Sequence, residues 1–462
     1  MKRIVSIFFL SLLALACRET PAPELPMPEF TGFSVDATYE TAVITVEHQG
    51  DYGIVEAGIY LDDRRILADD RESGQFTVTV AGLEGSTDYN YKAFVSNGIH
   101  EAVSPSQTFR TAPAPKVIRS GEGTFTIHTE NTPLADILQR NGVDPEEIVH
   151  LTLIGHLADE DFPVIRKKMK LLESLDLGKT DVTVMPYLAL ATCNFTSLVL
   201  PEGLVEVGKC AVTDCQQMQG ALKLPKGLKI VGIDGFSNGY MLESLELPDG
   251  IQVIKDCAFM YCISMGGELI LPQSLTEIGE RAFYGTDFRG NLTIPSNVKS
   301  ILFSTFMEVG FEGELFLHDG ITEIGPTAFA ENGFKGVLTL PASLKHLGEG
   351  AFLGNQFSGD IVIPETIKEI PNDVFADGSF MQQYSRVILH KEVQSIGERA
   401  FFEFDKVLQE VVCYNEEPPR YATDAFNPEA IPSVTLRVPE GAVQRYREAE
   451  GWKDFGSILP IE

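Results

Sequence analysis

Positive charge is scarce in this chain of 462 residues: 36 lysines and arginines stand against 66 aspartates and glutamates, a formal net charge of −30. Affinity for phosphate backbones and anionic headgroups rests on clustered basic side chains, so the composition argues against nucleic acid as a partner. Excess Asp and Glu also keep exported proteins soluble, so the acidity has a bland explanation as well. Cysteine is limited to seven residues, too few for a disulfide framework at this length. The eight histidines (His48, His100, His128, His150, His156, His318, His346, His390) are scattered, with no metal pair at helical or hairpin spacing. A Gly-x-Ser-x-Gly elbow, a phosphate loop and a dinucleotide fingerprint are all missing. The expectation is a chain without catalysis, cofactor or metal.

Long apolar runs are confined to the N-terminus. Lys2 and Arg3 precede an apolar stretch from Ile4 to Ala16, shorter than the roughly 20 residues of a spanning helix, which reads as an export signal. Ala14-Leu15-Ala16-Cys17 resembles a lipobox, with Ala14 where leucine is more usual; the resemblance implies a lipid on Cys17 as first residue of the mature chain. A plain cleaved secretory signal is the alternative. Pro21, Pro23, Pro26 and Pro28 then favour an extended stalk over residues 18–28.

From Thr31 to Thr111 apolar residues alternate with polar ones, as in Val43-Ile44-Thr45-Val46 and Gln75-Phe76-Thr77-Val78-Thr79-Val80. That is the period of half-buried strands, and several such strands between turns predict a small β-sandwich over 29–112. Leu83-Glu84-Gly85-Ser86-Thr87-Asp88-Tyr89-Asn90-Tyr91 resembles the fibronectin type III pattern of a leucine, a turn and a strand opening on tyrosine. The inner tryptophan common in that family is missing, since the single one is Trp452, so an immunoglobulin-like sandwich is the broader description. Pro113-Ala114-Pro115 breaks the pattern.

Beyond that break the chain repeats itself. Leu245-Glu246-Leu247-Pro248-Asp249-Gly250-Ile251 returns as Leu269-Ile270-Leu271-Pro272-Gln273-Ser274-Leu275 and Leu338-Thr339-Leu340-Pro341-Ala342-Ser343-Leu344. Equivalent strings stand at Pro201, Pro225, Pro295 and Pro364, and with histidine in the proline slot at His318 and His390. Eleven places after these leads come Phe236, Phe259, Phe283, Phe306, Phe329, Phe352, Phe375 and Phe401, with Val212 in the first unit. A period of about 23 residues lies in the range of leucine-rich repeats, whose units fold only by stacking on neighbours. The spacing predicts about eleven such turns. Gly220, Gly267, Gly290, Gly313, Gly336 and Gly359, each five places before a lead, mark a corner that needs positive φ or close approach. Leu134 to Asn141 reads as a short helix of an N-terminal cap; Val443, Tyr446, Ala449 and Trp452 read as one apolar helix face closing the other end.

These units resemble the BspA-like leucine-rich repeats of bacterial surface proteins, best seen in Ile278-Gly279-Glu280-Arg281-Ala282-Phe283, Ile324-Gly325-Pro326-Thr327-Ala328-Phe329 and Ile396-Gly397-Glu398-Arg399-Ala400-Phe401. The resemblance implies a mainly β solenoid, exposed at the surface or lipid-anchored in the outer membrane, and adhesion to host matrix proteins or to other bacteria. The organisation expected is a leader over 1–17, a stalk over 18–28, a sandwich over 29–112, a linker and cap over 113–150, the solenoid over 151–435 and a C-terminal cap over 436–462. The leading function is recognition of a macromolecular ligand by a monomeric solenoid; a passive scaffold or accessory subunit of a surface complex, for example in glycan capture, is the alternative.

Three groups of residues need a role. Cys210 with Cys215, and Cys257 with Cys262, form C-x4-C pairs, but their repeat register assigns Cys215, Cys262 and Cys193 to small buried positions, leaving disulfides open. Glu206, Glu277, Glu323 and Glu369 share one slot and read as a solvated row rather than a calcium loop. The middle residues of the leading strands, Val199, Lys223, Glu246, Ile270, Thr293, Phe316, Thr339, Val362 and Ile388, face away from the apolar pair around them. From Ile270 onward none is charged. Strand propensity alone produces such a row, yet exposed apolar patches also mark interaction sites, so Ile270, Thr293, Phe316, Thr339, Val362 and Ile388 are the candidate ligand-contact stripe.

Overall fold

A computed structural model of the chain describes residues 28–50, 53–376, 384–402, 408–422 and 424–461. The expected leader, Cys17 and all of the proline-rich stalk but Pro28 lie outside the described residues. The chain divides between Ala114 and Pro115 into two compact units.

The first unit holds nine strands: β1 (Glu29–Ala37), β2 (Thr41–Gln49), β3 (Glu56–Leu61), β4 (Arg64–Leu67), β5 (Asp70–Glu72), β6 (Gln75–Ala81), β7 (Asp88–Ser96), β8 (Glu101–Val103) and β9 (Gln107–Arg110). They form two antiparallel sheets, ordered β1-β2-β6-β5 and β4-β3-β7-β8, with β9 also paired to β7. Period-2 alternation sends Ala42, Ile44 and Val46 of β2 inward and leaves Val43 exposed. Ile44, Val46, Phe76 and Val78 from one sheet share a single apolar core with Ile59, Tyr91, Ala93 and Val95 from the other. The Tyr89 hydroxyl accepts a 2.7 Å hydrogen bond from the Glu84 N–H, tying the turn before β7 to the strand it opens.

The second unit begins with β10 (Lys116–Gly121), which pairs antiparallel with β11 (Thr124–His128). Every later strand pairing is parallel, starting with β12 (His150–Gly155) and β13 (Ser174–Thr180). The expected cap helix is α1 (Leu134–Arg140), packed through Leu134, Ile137 and Leu138, and it is followed by α2 (Asp161–Lys168). The Asp161 carboxylate joins the two, accepting from the Leu134 N–H at 2.7 Å and the Ala158 N–H at 3.0 Å. Burial pushes this carboxyl above the usual carboxylate range, against the lowering effect of those two bonds.

From there the chain coils into a β-solenoid of about 13 turns of roughly 24 residues. One ladder consists of the leading strands, such as Leu292–Thr293 on Leu315–Phe316 and Gly359–Val362 on Tyr384–Leu389. A second consists of two-residue strands after the proline, among them Glu206–Val207, Ile230–Val231, Val253–Ile254 and Glu277–Ile278 in a row. On the remaining side, residues four apart take left-handed backbone, for example Asp234 with Asn238 and Ser304 with Glu308. That conformation aims alternate N–H groups at the next turn, so Phe259, Phe283 and Phe306 donate to the carbonyls of Ala282, Thr305 and Ala328 at 2.9, 3.1 and 2.9 Å.

The aromatic register closes the interior. Phe236, Phe259, Phe283, Phe306, Phe329, Phe352, Phe375 and Phe401 are 0–1 % exposed. Successive rings stack 5.5–5.8 Å apart and within 18° of parallel. Val212 fills the same slot at the upstream end, and Phe426 adds a ring at the downstream end, 4.9 Å from Phe401. A shorter column, Phe311, Phe334 and Phe357, runs beside it and meets it edge to face. Two buried amides bind the columns: Asn355 Nδ2 donates to the carbonyls of Phe329 and Phe352 at 2.8 and 3.0 Å while its Oδ1 accepts from the Phe334 N–H, and Asn332 serves the turn before.

One expectation changes. The stack exceeds eleven turns because Glu410–Cys413, which has no proline lead, and then Thr435–Val438 and Ser457–Pro460 continue the ladder. The helix Val443–Glu448 is inserted between the last two, and Tyr446 and Trp452 are buried against the stack. The corner glycines show both of the expected causes. Gly220, Gly267, Gly290, Gly336 and Gly359 have positive φ, whereas Gly313 does not; a Cβ there would lie 2.6 Å from the backbone of Gly290 in the preceding turn.

Candidate ligand-contact face

The leading strands pleat, so the residues flanking each middle position are drawn into the core and the middle one is turned out. Leu315, Leu338 and Ile361 are buried, while Ile270, Phe316 and Val362 are 70 %, 46 % and 51 % exposed. Thr293 and Thr339 are exposed and Ile388 is half-buried. Ladder pairing aligns Val362 with Ile388 and Ile388 with Val412, but Val412 is buried, so the outward row ends at Ile388 as read from the sequence.

Part of this row is concave. A groove of about 1030 Å³ crosses four turns and is lined by Val337, Thr339, Val362, Ile388 and Tyr414 together with the buried Leu338, Leu340 and Ile363. Val337 bridges to Ser358, while Leu338, Thr339 and Leu340 belong to no strand. Arg386 and Asp360 form a 2.6 Å ion pair at one rim; Glu365 and Lys391 stand at the other.

The other candidate groups are structural. His318 and His390 repeat one geometry: Nδ1 accepts from the N–H two residues on, of Gly320 and Glu392, both at 3.0 Å, and Nε2 lies 3.0 and 3.1 Å from the carbonyl of Val298 or Ile367 in the preceding turn. This is a neutral ring donating through Nε2, acting as a staple in a proline slot. The glutamate row lies on the second ladder, where Glu277 pairs with Lys255 at 2.7 Å. All six described cysteines are free thiols. Cys193, Cys215, Cys262 and Cys413 are buried, and burial raises each thiol, Cys193 and Cys262 up to about 12. Cys210 and Cys257 are half-buried and also raised by burial. A thiol so raised is a poor nucleophile at neutral pH. Among the described residues no group of three His, Cys, Asp or Glu side chains is placed to hold a metal ion, and no helix is long and apolar enough to cross a membrane.

Comparison with known proteins agrees with the repeat geometry. The family described as "BspA type Leucine rich repeat region" matches residues 183–312 and 313–422, in six copies. No curated protein sequence matches the chain. Among solved structures, a leucine-rich repeat protein from Eubacterium ventriosum is 14 % identical, with a TM-score of 0.36, covering 75 % of this chain and 91 % of its own. The pneumococcal vaccine antigen PcpA is 12 % identical, with a TM-score of 0.35, covering 75 % and 96 %. Likenesses of that size say nothing about ligand or role. The family match spans more than half of the chain, and its turns are the ones whose phenylalanines stack: the chain belongs to the BspA-type leucine-rich-repeat family.

Proposed function

We propose that this is an exported surface protein, anchored by a lipid on Cys17, whose leading-strand face recognises a protein or other macromolecule on a host matrix or another bacterium. The observation that carries the reading is the uncharged row from Ile270 to Ile388, held outward on a wall whose interior is packed. Scattered apolar residues are ordinary on any surface, but an aligned series on a rigid ladder is a preformed contact surface, and preformed surfaces bind at low ordering cost. The family's repeat architecture is consistent with recognition. In the first unit, the sheet orders and the Tyr89 bond to the Glu84 backbone support a fibronectin type III-like or immunoglobulin-like sandwich, placed as a spacer before the solenoid.

The test is capture of the purified chain on an array of matrix proteins and bacterial surfaces, comparing wild type with Ile270→Lys and Phe316→Lys. Both side chains are exposed, so the variants fold, and any specific capture is expected to fall at least tenfold. Unchanged capture by both variants overturns the reading. Anchoring is tested separately by metabolic labelling with palmitate, which Cys17→Ser is expected to abolish.

A further inference from the structure

The densest positive charge of this acidic chain stands beside the N-terminal cap of the solenoid. Arg166, Lys167, Lys168 and Lys170 put four basic side chains into five residues, and no five residues elsewhere in the sequence hold more than two. We propose that this place docks on an anionic lipid bilayer, the lysines meeting phosphate headgroups and two uncovered apolar side chains entering between them.

Helix α2 buries Phe162, Val164 and Ile165 and turns Pro163 and Lys167 outward, with Lys170 just past its end. Lys167, Lys168 and Lys170 are exposed, and among the described residues none of them is ion-paired. Arg166 is half-buried and donates through Nη1 to the Leu188 carbonyl at 2.9 Å, which ties the turn carrying Tyr187 to the last turn of the helix. Tyr187 is 66 % exposed, and Leu171, next to Lys170, is 59 % exposed. A helix C-terminus is complemented by positive charge in its last turn. That accounts for part of the cluster, but not for Lys170 beyond the helix, nor for an aliphatic and an aromatic side chain left in water beside it.

The net charge of −30 does not cancel this local field. Asp159 and Glu160 stand at the far end of the helix, about 10–12 Å from Lys167 at 1.5 Å per residue. Exposed charges farther apart than a Debye length of about 8 Å are largely screened at physiological ionic strength. Glu173, three residues past Lys170, is the nearest acidic residue in the sequence and stands against four basic groups.

The apolar pair separates a bilayer from other polyanions. A sulfated polysaccharide would satisfy the lysines and leave Leu171 and Tyr187 in water. At a bilayer the leucine enters the acyl boundary, the tyrosine settles at headgroup level, and the lysine stems lie on apolar surface with their ammonium groups on phosphate. Each lysine so placed strengthens binding about fivefold.

The experiment is co-sedimentation of the full chain with vesicles of phosphatidylcholine, alone or mixed with phosphatidylglycerol. Tighter binding to the mixed vesicles is expected, falling at least tenfold in Lys167→Glu/Lys170→Glu and severalfold in Leu171→Ser/Tyr187→Ser. Lys335→Glu/Lys391→Glu makes the same change in net charge at two other exposed positions and should bind as the unaltered chain does. All six side chains are exposed, so the substitutions spare the core, and every variant keeps the same N-terminus, so whatever the apolar leader or a lipid contributes is common to all. Four results overturn the proposal: no preference for the mixed vesicles, binding unmoved by Lys167→Glu/Lys170→Glu, an equal fall in Lys335→Glu/Lys391→Glu, or retention on dextran sulfate with none on vesicles. None of them bears on the leading-strand face, whose capture assay stands apart.

Discussion

Two phenylalanines ten residues apart make the sharpest comparison in the molecule. Phe306 is fully buried, stacked on Phe283 at 5.5 Å and Phe329 at 5.7 Å, with Phe311 against its edge; Phe316 is 46 % exposed on the leading strand of the following turn. Replacing a buried phenylalanine by alanine costs about 3–5 kcal/mol, and each stacked pair adds roughly 0.5–1.5 beyond area burial. Phe306→Ala is therefore expected to cost about 4–5 kcal/mol. Full burial of such a side chain is worth about 1.5–3 kcal/mol. Phe316 is only about half covered, so Phe316→Ala should cost about 1 kcal/mol. Stability in a stack is shared between neighbours, so a single unfolding midpoint is a poor readout. Hydrogen exchange read turn by turn is better: Phe306→Ala should strip protection from the turns holding Phe283, Phe306 and Phe329 first. The fluorescence of Trp452, buried in the last turns with its indole N–H on the Pro419 carbonyl, reports whether the loss reaches the far end. Equal losses of protection in the two variants would refute the division into an inward ladder and an outward stripe.

Backbone crowding gives a second prediction: a Cβ on Gly348 would lie 2.2 Å from the Pro326 nitrogen, whereas one on Gly203 meets nothing within 4 Å. Gly348→Ala should lower the denaturant midpoint markedly and Gly203→Ala hardly at all, and similar midpoints would count against the close contact between turns. Asn355→Leu preserves bulk but strands the Phe334 N–H and the Phe352 carbonyl, while the Phe329 carbonyl keeps the Asn332 amide; with each orphaned group costing about 1–3 kcal/mol, a loss near 3 kcal/mol is expected by urea titration. Alkaline pH is the last case. Cys193 and Cys262 are raised from 9.0 to about 12 by burial, so their contribution is intact below pH 9 and is lost as pH climbs toward 12, when the unfolded thiols ionise and the folded ones do not. At pH 10.5 the penalty is on the order of 2 kcal/mol per thiol. Urea midpoints at pH 8 and 10.5 should lie closer together in Cys193→Ala/Cys262→Ala than in the unaltered chain, Cys215 and Cys413 keeping part of the loss, and an undiminished alkaline loss in that variant would discount the mechanism.

The interior was legible because the repeat writes it many times: a phenylalanine every 23 to 26 residues from Phe236 to Phe401 occupies one column, and the leucines around each middle residue are buried. What escaped notice lies where the pattern lapses. Phe426 joins the column without a proline lead to announce it, and the last strands, which bury Leu436, Val438 and Ile458, are not followed by the isoleucine-glycine and alanine-phenylalanine steps of the repeat. The left-handed positions are hidden for another reason, since Cys257, Arg281, Ser304, Thr327 and Asp373 occupy equivalent places and share no residue preference that a reader could recognise. For the candidate face, outward orientation followed from strand period, but the groove did not. It is formed by side chains of four successive turns, Leu338, Val362, Ile388 and Tyr414 among them, whose relative placement no single string of the sequence announces.

Because each turn offers its amides forward and its phenylalanine ring to one neighbour on either side, no turn carries information about its position in the series. Excising one whole period between equivalent residues, such as 307–329, would set the rings of Phe306 and Phe352 face to face and take one ring, Phe311, from the shorter column. Length is thus adjustable in units of one turn without redesigning the fold.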